Sequence, residues 1–334
     1  MGPSAAGVKS ISVLWWGFRG AFCPPGAMGT DMDVGAFKRV DVGACTDIYW
    51  LETGMYDTTG YGVVYIIDAD RPAIIDTGIG TGADHILAAL DDLGINRTAV
   101  EVIAPTHVHL DHAGGAGRLA EACPNATVYA HERGAPHLAD PSDLIAGTQQ
   151  AVGDQWQYYV EPTPIPDARI TPLTDGDTID LGDRSLRVHH APGHALHQVI
   201  FESPADDAVF VADAAGLYLP EYDRVQESSP PSTFNLEQVL EDVDTIEALD
   251  PDALLYPHYG PAPADDQLER YRERITDWVE TVAAHRDDRS DDALREYFAD
   301  RVDEELIDAW GEHKAREEIK LNVRGACQYL DYVG

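Results

Sequence analysis

The segment Thr106-His107-Val108-His109-Leu110-Asp111-His112 constrains this chain more than any other feature. Four side chains able to ligate a metal fall within six residues, in the pattern H-x-H-x-D-H. They follow directly on the apolar run Val102-Ile103-Ala104-Pro105. Imidazole nitrogen and carboxylate oxygen are donors that a hydrolytic Zn²⁺ favours. So tight a cluster cannot turn every donor toward one ion. Alternate residues leaving a strand end fan apart, so His107 and His109 can serve one metal while Asp111 and His112 serve a second. A surface loop whose histidines bind nothing is the competing reading, and matching ligands downstream weigh against it.

The organisation around this cluster alternates strands with helices. Short β-rich runs occur at 48–51, 63–67 and 73–75, with Asp68-Ala69-Asp70-Arg71-Pro72 as a turn between the last two. A helix is expected over 83–93, with Ile86, Leu87, Leu90 and Leu93 on one face. A buried strand at 100–104 delivers the histidines, followed by a helix near 114–122 and a strand at 127–130. Residues 133–170 read as a helical excursion and a loop. Strands resume at 186–189, 198–201, 208–211 and 253–256, with a helix at 235–248 between the last two. Beyond Pro263 the pattern is helical. This divides the chain into residues 1–31, a catalytic domain over 32–262, and a C-terminal helical extension over 263–334. Residues 1–31 read as a disordered extension or a mis-assigned start, with Met28 or Met32 as the alternative beginning.

Four further pieces carry metal chemistry, each at a strand end. His194 follows the Pro192-Gly193 turn after the strand that ends at His190. Asp213 ends the run Val209-Phe210-Val211-Ala212, and its two oxygens could bridge two cations. His258 follows Leu254-Leu255-Tyr256-Pro257, and Asp76 follows Ala73-Ile74-Ile75. One histidine or aspartate at a strand end is ordinarily structural. Five such places at successive strand ends, one already a four-ligand cluster, are hard to reach by chance.

In this order the motifs D, H-x-H-x-D-H, H, D, H resemble the metallo-β-lactamase superfamily, over roughly residues 44–262. The resemblance implies an α/β fold, a four-layer αβ/βα sandwich with extra C-terminal helices, and two metals in a cleft at one edge of the paired sheets. It implies that His107, His109 and His194 hold the first metal, that Asp111, His112 and His258 hold the second, and that Asp213 bridges them. Asp76 then orients a ligand and does not ligate. The metals implied are two Zn²⁺, with iron or manganese as alternatives. His109 stands where the flavodiiron branch carries Glu, which disfavours oxygen-reducing di-iron chemistry. The nearest likeness is the glyoxalase-II-like branch, and the stretch from His131 to Ser142 resembles an uncharacterised prokaryotic subgroup. Two departures separate the chain from a strict glyoxalase II. Ala195-Leu196-His197-Gln198 follows His194 where T-x-G-H is usual, and no basic pair for a glutathione carboxylate stands out in the C-terminal helices.

The function so implied is hydrolysis of a small acyl substrate (thioester, ester or lactone) by a dinuclear zinc-bound hydroxide, with Asp111 also orienting the nucleophile. An iron-dependent persulfide dioxygenase is the first alternative. A phosphodiesterase or nuclease of the same superfamily is the second. Tyr56, Tyr218, Tyr222 and Tyr259 lie in loops beyond strand ends and are candidate substrate contacts, since a phenol can donate to a developing oxyanion. His131, His189, His190 and His197 are expected to be structural. The C-terminal helices could cap the cleft or form a homodimer face.

Composition bounds the partners. The formal net charge is −36, and of 23 basic residues 19 are Arg and 4 are Lys. No basic stripe offers phosphate contacts, so a nucleic-acid partner is not expected. No apolar run approaches the roughly 20 residues that span a bilayer, so no membrane partner is expected. The four cysteines show no metal spacing and read as free thiols of a cytoplasmic protein. Beyond the first thirty residues, acids are spread along the chain and not blocked into a tail, which reads as a halophilic surface whose self-repulsion is screened by salt. The unfolding midpoint should therefore rise steadily from low to molar KCl. A protein fully folded and active without added salt would contradict this reading of the charge.

Overall fold

A computed structural model describes residues 32–334. The expectations for residues 1–31 lie outside the described residues. Seven strands form the first sheet in sequence order: β1 (Phe37–Arg39), β2 (Ile48–Glu52), β3 (Val63–Ile67), β4 (Ala73–Ile75), β5 (Val102–Ala104), β6 (Thr127–His131) and β7 (Ile170–Leu173). The first four pair antiparallel, and β4 to β7 pair parallel. Parallel pairing requires crossovers, supplied by α1 (Ala83–Leu93), α2 (Leu110–Ala113), α3 (Ala116–Ala122), α4 (Ala135–Ala139) and α5 (Ser142–Val152).

The second sheet has six strands in the order β15-β14-β11-β10-β9-β8. These are β8 (Thr178–Asp180), β9 (Ser185–His190), β10 (Val199–Ser203), β11 (Ala208–Phe210), β14 (Ala253–Leu255) and β15 (Pro261–Pro263). A small hairpin of β12 (Leu217–Leu219) and β13 (Arg224–Gln226) stands apart. The helix α6 (Leu236–Leu249) makes the crossover between parallel β11 and β14. The C-terminal part is α7 (Gln267–Arg286), α8 (Asp291–Ala299), α9 (Glu304–Trp310) and α10 (Glu312–Val333).

The layering follows from side-chain alternation. In β3 every residue is buried. Val63, Tyr65 and Ile67 point between the sheets, where they meet Val188, Phe201 and Phe210. Val64 and Ile66 point outward, to Ile86 and Leu90 of α1. On the far side Ile200, Val209 and Leu254 pack against Val239 of α6, Ile275 of α7 and Val323 of α10. A strand buried on both faces must read as a continuous apolar run, and this one does. The result is the expected order of helices, sheet, sheet and helices.

The two sheets are tied together at one edge. Val63 N–H donates to the Pro257 carbonyl at 2.8 Å, and Val199 N–H donates to that of Thr106 at 2.9 Å. The Tyr65 hydroxyl donates to the Tyr256 carbonyl at 2.7 Å. Parallel registers Ile75↔Ala104 and Phe210↔Leu255 place the C-terminal ends of β4, β5, β11 and β14 at this same edge. Asp76 and Ala212 sit there with left-handed backbones, at φ 60 and 50. Such strain in non-glycine residues concentrates where the chain must aim a functional group.

Among the described residues, Cys45, Cys123 and Cys327 are free, and no helix is long and apolar enough to cross a membrane. The C-terminal helices are joined to the sandwich by close backbone contact. A Cβ at Gly325 of α10 would lie 2.0 Å from the Ser229 carbonyl oxygen and 2.6 Å from the Pro230 carbonyl carbon. Gly325→Ala should therefore push the helix away and cost roughly 1–3 kcal/mol. Thermal unfolding should show a midpoint lowered by several degrees, and an unchanged midpoint would mean that α10 yields freely.

Candidate metal centre

Each donor enters the centre from the end of a strand. The Thr106–His112 segment leaves β5 and turns into α2, whose first residues carry Asp111 and His112. His194 follows β9, Asp213 follows β11 and His258 follows β14. His107, His112, His194, Asp213 and His258 are each at most 4 % exposed. His109 and Asp111 are half-buried and open onto a cavity of about 400 Å³.

The donor atoms form two sets. In the first, His109 Nδ1 lies 3.0 Å from His107 Nε2 and 3.2 Å from His194 Nε2. In the second, Asp111 Oδ2 lies 3.7 Å from His112 Nε2, with His258 completing the group. Asp213 stands between them. Its Oδ2 is 3.2 Å from His194 Nε2, while its Oδ1 is 3.7 Å from His112 Nε2 and 3.5 Å from His258 Nε2. Tetrahedral ligands at the usual Zn–N and Zn–O lengths stand about 3.3 Å apart, close to these separations.

Two of these atoms, His112 Nε2 and Asp213 Oδ1, are fully buried and have no hydrogen-bond partner. Buried polar atoms are seldom left so, and an orphaned donor–acceptor pair facing one point fits a cation between them. The triads that could hold a metal are His107–His109–His194, His107–His112–Asp213 and Asp111–His112–His258. The donor set therefore fits divalent cations.

Three of the rings are also held on their far side. His112 Nδ1 donates to Asp76 Oδ2 at 3.2 Å, while Asp76 Oδ1 accepts from the Thr106 N–H at 2.7 Å. His258 Nδ1 donates to the Tyr61 carbonyl at 2.6 Å. His194 Nδ1 meets Ser228 Oγ at 3.1 Å. A partner on one ring nitrogen leaves the other free as a lone-pair donor, aimed inward. The Gly193 N–H donates to Asp242 at 2.7 Å, and a Cβ at Gly193 would lie 2.3 Å from Val239 N. Only glycine allows the turn that lifts His194 into the centre.

The electrostatics are those of a site wanting positive charge. Burial opposes charge on His112, but Asp111, Asp213 and Asp76 outweigh it and push its pKa up to about 10. Burial opposes ionisation of Asp213, yet His194, His112 and His258 hold it well below the usual carboxylate range. Burial and the neighbouring imidazoles lower His107 well below its ordinary value. His194 falls to about 3, chiefly through burial. Three carboxylates thus crowd one corner around His112, and a cation at its Nε2 would replace the proton held there.

The candidate substrate tyrosines are distributed differently. Tyr56 lines the cavity, with its hydroxyl bonded to that of Tyr159. Tyr259 is buried and takes a hydrogen bond from Trp310 Nε1. Tyr218 lies within β12 and not in a loop, and it bonds Asp223 at 3.1 Å; neither it nor Tyr222 lines the cavity. His131 and His190 stack on each other at 4.2 Å, and His189 bonds Glu202 at 2.9 Å. His197, expected to be structural, lines the cavity, with its ring centroid 5.2 Å from that of His109. Sequence reasoning missed Tyr61, Tyr159, Lys314, Glu318 and Asn322, all on the cavity wall. The last three belong to α10, so the C-terminal helix closes the cleft. No local signal in the sequence marks this, since the burial of Lys314 is visible only after folding.

Residues 57–258 match the profile of the Metallo-beta-lactamase superfamily. Among curated proteins, acyl-coenzyme A thioesterase MBLAC2 of Homo sapiens is 28% identical over 186 residues, half of this chain and 62% of that one. The chain thus spans less than two thirds of that relative's length. Hydroxyacylglutathione hydrolase of Maricaulis maris is 31% identical over 159 residues, 47% of each chain. Among solved structures, an archaeal metallo-beta-lactamase superfamily protein from Sulfolobus tokodaii superposes with a TM-score of 0.64 at 20% identity, covering 85% of this chain and 99% of that one. That likeness shows the fold alone.

Asp76 offers a direct test of the centre. Asp76→Asn keeps the shape but removes the charge behind His112. It should weaken Zn²⁺ binding about 10- to 100-fold, measured by competition with a chromogenic chelator. Unchanged affinity would detach Asp76 from the metal centre.

Proposed function

Because the chain belongs to the metallo-beta-lactamase superfamily, we propose that it is a hydrolase that holds two divalent cations and cleaves small acyl substrates (thioesters, esters or lactones). The observation that carries this is the position of Asp213, one oxygen facing His194 and the other facing His112 and His258. In this reading His107, His109 and His194 hold one cation, Asp111, His112 and His258 hold the other, and Asp213 joins them. The nitrogen-rich donor set favours zinc, with iron or manganese as alternatives. When bound, such cations supply a water acidified toward neutrality and a Lewis acid for a carbonyl oxygen.

The protein's own groups do the rest. Asp111 is the one carboxylate of the second set that opens to the cavity, and it is placed to accept a hydrogen bond from a nucleophilic water. Burial opposes its ionisation, yet His112, His109 and His258 hold its pKa below the ordinary value, so it remains an acceptor. Asp76, Tyr61 and Ser228 keep three rings from rotating. A cavity of about 400 Å³ suits a small substrate, and its wall of α5 and α10 limits the access of bulk water. The likeness to an acyl-coenzyme A thioesterase and a hydroxyacylglutathione hydrolase supports an acyl thioester as the first substrate to try.

The test is metal quantification on the purified protein, together with turnover of thioesters, lactones and phosphodiesters in high salt. Two cations per chain and acyl turnover are expected. One iron per chain with oxygen uptake on glutathione persulfide would replace the hydrolase reading, and so would turnover confined to phosphodiesters. His109→Ala should lower metal content and remove most activity. A variant with full metal and full turnover would overturn the ligand assignment.

A further inference from the structure

Of the hydroxyls around the centre, that of Tyr61 is in an unusual state. The Tyr56 hydroxyl is engaged with Tyr159, that of Tyr259 with Trp310, and that of Tyr65 with the Tyr256 carbonyl. Tyr61 receives a hydrogen bond from Lys314 Nζ at 3.1 Å. An ammonium can only donate, so the Tyr61 oxygen is the acceptor. No hydrogen bond from the Tyr61 hydroxyl is found among the described residues, and the residue is only 4 % exposed. Its proton therefore has neither a protein acceptor nor ready access to bulk water. Tyr61 lines the cavity beside His109, Asp111 and His258, and its ring centroid lies 4.9 Å from that of His258.

Both ends of this residue are fixed. Its carbonyl takes the His258 Nδ1–H at 2.6 Å, which holds its main chain against the metal centre. Its hydroxyl is anchored by Lys314, itself 8 % exposed and held from several sides. The Lys314 ammonium lies over the rings of Tyr56 and Tyr61, 4.4 and 4.3 Å from their centroids, and pairs with Glu318 one turn along α10. A cation donating to a phenol oxygen polarises its O–H bond and strengthens it as a donor. The residue is thus an anchored donor on the wall of the cavity beside the centre.

We propose that Tyr61 is a catalytic hydrogen-bond donor, its hydroxyl oriented by Lys314 to stabilise the oxygen that becomes negative when an acyl carbonyl is attacked. This rests on the hydrolase reading above. No proton changes hands at Tyr61 and no bond to it forms or breaks. Lys314 is a positioning residue that acts through Tyr61. The C-terminal helix then belongs to the catalytic apparatus as well as to the cavity wall.

The experiment compares wild type, Tyr61→Phe, Lys314→Met and the double variant on one short-chain acyl thioester that wild type hydrolyses, with metal content and melting temperature measured for each. Tyr61→Phe keeps the ring and should lower kcat about 100-fold, with KM within about twofold and metal content unchanged. Lys314→Met should lower kcat in the same direction, and the double variant should be no slower than Tyr61→Phe. A kcat loss below tenfold in Tyr61→Phe overturns the proposal. So does a loss that tracks missing metal or a lowered melting temperature. Multiplying losses in the double variant overturn the positioning role of Lys314. If wild type turns over no acyl substrate, the hydrolase reading fails and takes this inference with it. If wild type is active and Tyr61→Phe matches it, only the inference fails.

Discussion

The structure depends on holding imidazoles and carboxylates within 3.0–3.7 Å of one another in a nearly dry corner. Without a cation such packing is unfavourable, because buried polar atoms lack partners and the carboxylates repel. The protein does not relieve this by rotating the rings outward. Asp76, the Tyr61 carbonyl and Ser228 each hold a far ring nitrogen in place. Rigidity at the outer nitrogens is what leaves the inner ones facing a shared point.

The two-sheet architecture serves that arrangement. Each sheet has a parallel step, β4 to β5 in one and β11 to β14 in the other, and parallel strands end on the same side. The donor-bearing ends therefore converge without long loops. The Val63–Pro257 and Val199–Thr106 hydrogen bonds join the sheets beside the centre, so relative sliding would disturb the donor arrangement. Lys314 of α10 reaches Tyr61 across 253 residues of sequence, and this extends the same edge to the end of the chain.

Much of the fold was legible because its signals are local. The run Val63–Ile67 is apolar at each position since both of its faces are covered, and the helix at 83–93 shows its buried stripe at the helical period. The segments that carry the candidate donors were legible for a similar reason, since each motif sits next to a recognisable strand end. The candidate substrate tyrosines were not. Tyr56 faces the cavity and Tyr218 does not, although both follow strand ends in the sequence. The direction of such a side chain is set by what packs around it. Trp310 engages Tyr259, and Asp223 engages Tyr218, through contacts that no periodicity encodes.

By itself the sequence determined the donor inventory, the strand ends that carry it, and the division into a layered α/β body and C-terminal helices. These are properties of short segments, where residue type and spacing carry the physics. Only the tertiary structure decided which oxygen of Asp213 faces which histidines, that His197 joins the cavity, and that α10 closes the cleft with Lys314 inside. Those outcomes depend on side chains far apart in the chain meeting in one volume. Packing and the burial of charge select that meeting, and neither can be read from one segment alone.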